Sequence, residues 1–175
     1  EVQTVVDSMN RLKIVGRCIA GARVYWPRTI ADMTPAAFCK KIKGHRIQQI
    51  TRRGKYIVLG LSQGLTLLIH LRMTGHLNWE LKGKARNKHE HVILDLGEKR
   101  ELRFQDTRKF GRFLLTPAPR AVLEKLGPEP LSDDFSLERF HKMLHTCRRQ
   151  IKPLLLDQGF IAGMGNIYVD EALWK

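Results

Sequence analysis

The hydrophobic pattern of this 175-residue chain changes period once, at Thr116-Pro117-Ala118-Pro119, and no other feature constrains the fold as strongly. Before that point, short β-rich runs follow one another closely, at 46–51, 56–61, 65–71, 91–96, 100–105 and 112–115. Ser62-Gln63-Gly64 and Gly97-Glu98-Lys99 read as hairpin-like connections between them. Closely spaced strands with tight turns predict an antiparallel sandwich rather than βαβ units. Two helical patterns interrupt this half. Val2, Val5, Val6, Met9 and Leu12 share a helix face over residues 1 to about 13. Thr34-Pro35 opens a second, with Ala36, Phe38 and Ile42 inside it and Gly44 past its end.

Beyond the Pro-rich linker the pattern is helical. A short helix is expected over 121–126. Ser136 is placed to cap another, whose Leu137, Phe140, Leu144 and Cys147 share one face. A third begins at 152–156, and a last one over 166–174 shows no stop signal before Lys175, so the chain reads as cut there. The expected fold class is therefore α+β. A β-sandwich domain with flanking helices covers 1–116, and a helical domain, incomplete as it stands, covers 117–175.

Between the last two helices lies Gly159-Phe-Ile-Ala-Gly-Met-Gly-Asn-Ile-Tyr-Val-Asp-Glu171. Its glycines free the backbone at a bend and let a ligand approach main-chain amides without a Cβ in the way. A helix starting just after such a bend presents unpaired N–H groups and the positive end of its dipole, which suits a phosphate.

Charge points the same way. Lys and Arg exceed Asp and Glu by 14, with a pI near 10.2. That excess favours a polyanionic partner, nucleic acid or an anionic membrane surface, while leaving the fold open. No stretch has the length of a transmembrane span, and the N-terminus lacks a signal-peptide pattern. Apolar content is ordinary, so a real core is expected. Cys18, Cys39 and Cys147 are scattered, with no C-x-x-C pair; this fits a reducing compartment and excludes a cysteine-rich zinc site within these residues.

The basic residues concentrate in three places: Arg52-Arg53-Gly54-Lys55-Tyr56, Asp106-Thr107-Arg108-Lys109-Phe110-Gly111-Arg112, and Arg148-Arg149-Gln150-Ile151-Lys152. One such cluster is ordinarily a solvated face. Three, together with a glycine-rich anion site, point to a nucleic-acid groove. Phe110, flanked by cations, reads equally as a core aromatic at a strand end or as a wedge inserted into a base stack beside Arg108. Met73 taken alone reads as a gap-filling core residue. His89 and His91 have no cysteine or third ligand nearby, which favours a phosphate-binding or structural role over a metal.

Taken together, these stretches resemble the formamidopyrimidine-DNA glycosylase family. The resemblance rests on Arg-Gly-Lys-Tyr (53–56), His-Leu-Arg-Met-Thr-Gly (70–75), Lys-His-Glu-His (88–91), Asp-Thr-Arg-Lys-Phe-Gly (106–111), Leu-Gly-Pro-Glu-Pro-Leu (126–131), Ile-Lys-Pro (151–153) and Gly-Met-Gly-Asn-Ile-Tyr-Val-Asp-Glu (163–171), in that order over essentially the whole chain. The 126–131 run and Met73 favour this branch over the related endonuclease VIII branch.

The resemblance implies base excision repair of oxidised purines, such as 8-oxoguanine and formamidopyrimidines, in duplex DNA. It implies a bifunctional glycosylase and AP lyase that flips the damaged nucleotide out and acts through a Schiff base. Met73, Arg108 and Phe110 match the residues that fill the vacated space. Lys55 matches a catalytic lysine at the rim of the active site that contacts phosphate and assists elimination. His89, Arg108, Arg148, Lys152 and Asn166 match DNA-backbone contacts, and the glycine bend matches the hairpin of a helix–two-turns–helix element. Further implications are a monomer acting on oxidised or abasic double-stranded DNA, away from membranes, in a bacterial cytoplasm at the nucleoid.

Two departures qualify the match. The family begins Pro-Glu-Leu-Pro-Glu-Val, with the proline amine as nucleophile and the glutamate as acid. Glu1-Val2 aligns with the last two of those six residues, so the reactive pair is absent and the polypeptide as it stands is expected to be inactive. The family's zinc finger would follow Lys175, so no metal is expected in this chain and one zinc ion in the full-length protein. The alternative reading is a non-catalytic paralogue that binds damaged or abasic DNA. An RNA-binding module sharing the helix–two-turns–helix element would leave Lys55 and the 106–111 loop unexplained.

Overall fold

The computed structural model describes residues 1–175, and its first 119 residues carry all eight strands. The elements of this unit, Glu1–Pro119, are α1 (Val2–Arg11), β1 (Gly21–Val24), α2 (Pro35–Ile42), β2 (Ile47–Arg53), β3 (Tyr56–Leu61), β4 (Thr66–His70), β5 (His76–Leu81), β6 (Glu90–Asp95), β7 (Arg100–Gln105) and β8 (Arg112–Thr116). The second unit, Arg120–Lys175, is helical: α3 (Arg120–Leu123), α4 (Leu137–His145), α5 (Ile151–Leu156) and α6 (Asn166–Trp174). The α+β class expected from the sequence is what forms.

Two antiparallel four-stranded sheets build the first unit, in the orders β1-β6-β7-β5 and β2-β3-β4-β8. Their apolar side chains share one core, in which Ile57, Leu59, Leu67 and Ile69 of one sheet join Val92, Leu94, Leu102 and Phe104 of the other. β4 lies between β3 and β8 and is buried on both faces along nearly its whole length. Its Thr-Leu-Leu-Ile run accordingly has no polar alternation. α1 adds Val6 and Met9 to the core. Thr34 caps α2 by accepting from Ala37 N at 3.2 Å, and Phe38 then meets the edge of Phe113 at 6.5 Å.

β3 and β7 have the bounds read from the sequence, and the other expected strands differ by one or two residues at their ends. Two strands were not legible. β1 is four residues long, and β5 reads His-Leu-Asn-Trp-Glu-Leu with Leu81 exposed. Each is a strand because its neighbour, β6 or β7, supplies a hydrogen-bonding edge in register. Such tertiary pairing overrides a weak local preference. α4 also differs from the face expected for it. Ser136 caps it through Arg139 N at 3.1 Å, but Leu137 is 84% exposed, and the inward face is carried by Phe140 and Met143.

Outside the shared core, β7 buries an ionic cluster on its other face. Arg103 is 2% exposed and pairs with Glu101 at 2.7 Å and Glu90 at 3.1 Å. Its guanidinium also donates to Lys84 O at 2.7 Å and Ala85 O at 3.4 Å. Arg23 reaches Glu101 from β1 at 2.5 Å. The 82–89 connection is therefore fastened over the sheet by a charge-assisted network, and the strand entry that bears His89 is fastened with it.

In the second unit, Leu155, Ile161 and Val169 form a small core with Phe135, Phe140, Met143, Leu156, Phe160 and Met164 packed around it. No helix of either unit is long and apolar enough to cross a membrane.

Candidate nucleic-acid interface

Two connections leave one sheet for the other at the same end of the first unit. Residues 71–75 lead from β4 to β5, and residues 106–111 lead from β7 to β8. The register brings them together, because His70 pairs with Arg112 across β4–β8 and His76 with Gln105 across β5–β7. Asp106 joins the two. Its carboxylate is fully buried and accepts from Thr74 Oγ1 in one connection and from Arg108 N (3.1 Å) and Gly111 N (2.8 Å) in the other. These donors hold the Asp106 carboxyl below its ordinary range, although burial opposes them most strongly. His91 donates from Nε2 to the Asp106 carbonyl at 2.8 Å, and Asp106 N donates to His89 O at 3.0 Å.

The close approach of the connections needs two glycines. A Cβ on Gly111 would overlap the Phe104 ring, and one on Gly75 would collide with both that ring and the Leu71 carbonyl. Each turn also contains a non-glycine residue in the left-handed region, Arg72 at φ 57° and Lys109 at φ 61°. Such conformations cost of order 1 kcal/mol each and persist where the surroundings over-determine them.

What this corner presents is unusual for a soluble surface. Met73 is 69% exposed and Phe110 47% exposed. Arg108 bridges them: its guanidinium donates to Met73 Sδ at 3.1 Å and lies 4.9 Å from the centre of the Phe110 ring. Arg112 is turned back onto the loop, where Nη1 donates to the carbonyls of Lys109, Phe110 and Gly111. The core readings of Met73 and Phe110 fail, since neither side chain is inside. An apolar pair joined by one cation and ringed by others is suited to entering a base stack.

Beside this corner lies a group of cations. Lys55 follows Gly54 in the turn between β2 and β3, and its ammonium is held below the ordinary lysine range by partial burial, then by Arg72, with Glu1 opposing. His70 is pushed down to about 4 by burial, Arg72 and Lys55. It is neutral, accepts from Arg72 N at 3.0 Å through Nδ1, and meets Tyr56 edge-on at 5.0 Å. Lys55 and the exposed Arg72 thus form a cationic site beside the neutral, partly buried His70. His89 is partly exposed at the entry to β6, with its carbonyl tied to the 106–111 loop.

The second unit builds its bend around Gln158. That side chain donates to Leu156 O (3.0 Å) and Met164 O (2.9 Å) and accepts from Gly163 N (2.9 Å). Gly163 has φ 97°, a conformation that favours glycine. The nine-residue α6 then starts at Asn166, with no side-chain cap. Asn166 is exposed, as are Ile167 and Tyr168 beside it. Arg148 is exposed, whereas Lys152 pairs with Asp170 at 2.6 Å, both in contact with solvent. Arg149 pairs with Asp157 at 2.7 Å and so buttresses the bend.

Sequence reasoning singled out Met73, Arg108, Phe110, Lys55 and His89, and all five lie in the first unit around the end that carries the two connections. It passed over His70, Arg72, Asp106 and Gln158. An aspartate closing a strand, with a glycine five residues on, was the available signal for Asp106. His70 carried none, since its surroundings come from strand register. No group of three or more His, Cys, Asp or Glu side chains converges to hold a metal.

Comparison with known proteins agrees with this architecture. Residues 1–113 match the Formamidopyrimidine-DNA glycosylase N-terminal domain, and residues 126–175 match the Formamidopyrimidine-DNA glycosylase H2TH domain. The chain is 41% identical over 175 residues to a formamidopyrimidine-DNA glycosylase of Protochlamydia amoebophila, covering all of this chain and 63% of that protein. It is 44% identical over 177 residues to that of Herpetosiphon aurantiacus, covering 99% and 64%. Among solved structures, Lactococcus lactis Fpg in complex with abasic-site DNA matches with a TM-score of 0.89 at 36% identity, covering 99% of this chain and 65% of that one. The complex of the same protein with FAPY-dG DNA matches equally well. The chain thus spans a little under two thirds of these relatives.

Proposed function

Because the chain belongs to the formamidopyrimidine-DNA glycosylase family, we propose that it supplies the lesion-recognition and DNA-gripping parts of a base-excision enzyme for oxidised purines in duplex DNA. The observation that carries this reading is the exposed Met73–Arg108–Phe110 group, standing on two connections that share one buried carboxylate. Extruding a nucleotide costs a few kcal/mol in lost stacking and pairing, least at a damaged pair. Side chains that occupy the gap lower that cost only if they are already in position. Here Met73 and Phe110 are the apolar fillers, and Arg108 serves the phosphate or the orphaned base. His89, Arg148, Lys152 and Asn166 contact the backbone, and Lys152 exchanges Asp170 for phosphate when DNA binds.

In this reading Lys55 sits against the phosphate of the extruded nucleotide. Its lowered pKa suits a lysine that both binds phosphate and moves a proton during β- and δ-elimination. The proline and glutamate of the Schiff-base chemistry are not among residues 1–175, so these residues contribute binding, extrusion and proton transfer at Lys55 Nζ.

The test is binding of the 175-residue chain to a duplex containing a tetrahydrofuran abasic-site analogue, against the undamaged duplex, by fluorescence anisotropy. Arg108→Ala and Asn166→Ala are expected to weaken binding about tenfold, the loss of one charge-assisted contact. Met73→Ala is expected to reduce preference for the lesion while leaving the salt dependence unchanged, because it removes no charge. Equal affinity of the chain for both duplexes, or unchanged affinity in both polar variants, would overturn the assignment.

A further inference from the structure

α4 carries two histidines one turn apart, His141 and His145, on the face opposite Phe140 and Met143. Both are exposed. Their Nε2 atoms face each other at 3.0 Å, with ring centres 4.3 Å apart and planes inclined by 72°. Two neutral imidazoles can meet in this way by an N–H···N hydrogen bond. Moving the shared proton to the Nδ1 of its own ring instead leaves two lone pairs converging on one point.

We propose that His141 and His145 form a bidentate clamp for a divalent late transition metal of the Ni²⁺ or Cu²⁺ type. The spacing chooses the class. Metal–imidazole bonds are about 2.0–2.1 Å, so nitrogens 3.0 Å apart subtend about 95° at the metal. Adjacent positions of a tetragonal or octahedral ion lie about 90° apart, which suits Ni²⁺ and Cu²⁺. Tetrahedral zinc would need the nitrogens to open to roughly 3.3 Å at the same bond length. No third His, Cys, Asp or Glu converges on the pair, so water completes the coordination. α4 is already held by the Ser136 cap and by its apolar face, so its backbone presents both rings without further ordering.

The experiment is calorimetric titration of Ni²⁺, and separately Zn²⁺, into the full 175-residue chain and into His141→Asn and His145→Asn, with far-UV circular dichroism checking that both variants keep their helix content. The clamp predicts one Ni²⁺ per chain, bound tighter than Zn²⁺, and at least a tenfold loss in each single variant, because a chelate needs both rings. The other histidines, including His45, His76 and His89, are unchanged in the variants and provide the background. Loss in only one variant, or in neither, would overturn the proposal. Zn²⁺ binding as tightly as Ni²⁺ would overturn the angular argument and the metal class with it.

Discussion

Removing the Asp106 carboxylate is the sharpest test of how the corner formed by the 71–75 and 106–111 connections is built. Asp106→Ala strands Gly111 N, leaves Arg108 N with only its longer contact to Thr74 Oγ1 at 3.3 Å, and deprives that hydroxyl of its acceptor, in a place where the carboxylate itself has no contact with water. Each hydrogen bond to a charged acceptor contributes about 1.5–3 kcal/mol, and the 3.3 Å contact from Arg108 N to Thr74 Oγ1 replaces only part of what is lost, so the expected loss is about 3–5 kcal/mol. Asp106→Asn keeps one acceptor oxygen and points an NH₂ at the remaining donor, so it should cost about half as much. Urea unfolding followed by tryptophan emission measures this in the relevant unit. Trp26 and Trp79 lie in it, whereas Trp174 is 89% exposed and its emission changes little on unfolding. The midpoint should fall at unchanged slope. The wild-type curve should also lose stability in acid. The carboxyl lies below its unfolded value of about 3.9, so its contribution is complete above that pH and disappears as pH falls through the folded value. Neither variant should show that part of the acid limb. An unfolding free energy within about 0.5 kcal/mol of wild type for Asp106→Ala, or equal costs for Ala and Asn, would refute the view that one carboxylate joins the two connections.

Other consequences follow from the same geometry. His70 is held at about 4 against roughly 6.5 in the unfolded chain, so the unfolded state binds more protons between those values. Stability should decline as pH drops from about 6.5 towards 4, and His70→Gln should flatten that part of the curve measured by urea unfolding. Gly111→Ala should destabilise the first unit by about 1–3 kcal/mol by overpacking against Phe104. Gly75→Ala should cost more, since its collision includes the Leu71 carbonyl, and a smaller loss at 75 than at 111 in thermal unfolding would contradict this ordering. Arg103→Met leaves Glu90 buried without its cation and Glu101 with Arg23 alone, at an expected cost of about 3–5 kcal/mol. Hydrogen exchange should then show faster opening of residues 82–89, and unchanged protection there would count against Arg103 as their fastener.

The sequence was most legible where local chemistry suffices. The caps at Thr34 and Ser136 are visible because a hydroxyl three residues before an amide is a local arrangement, and both form. β3 was readable from its apolar run, and β7 from Leu102 and Phe104 alternating with polar residues. β1 and β5 were not, since their strand character comes from the edges offered by β6 and β7. Leu137 was misread for a related reason: helical spacing identifies a stripe, but what packs against the stripe decides which part of it is covered.

The sequence by itself determined the α+β class, the change from strand to helix near residue 116, the excess of positive charge, and the motifs that carry the family resemblance. All of these depend on residue type and short-range order along the chain. Only the tertiary structure decided that Met73 and Phe110 face outward, that Arg108 joins them, and that Asp106 ties the two connections together. It likewise decided that His70 is neutral and that Arg103 holds a distant loop. Exposure, burial and the field at a titrating group depend on neighbours tens of residues away in sequence, and the pairing of β4 with β8 and of β5 with β7 is what makes them neighbours.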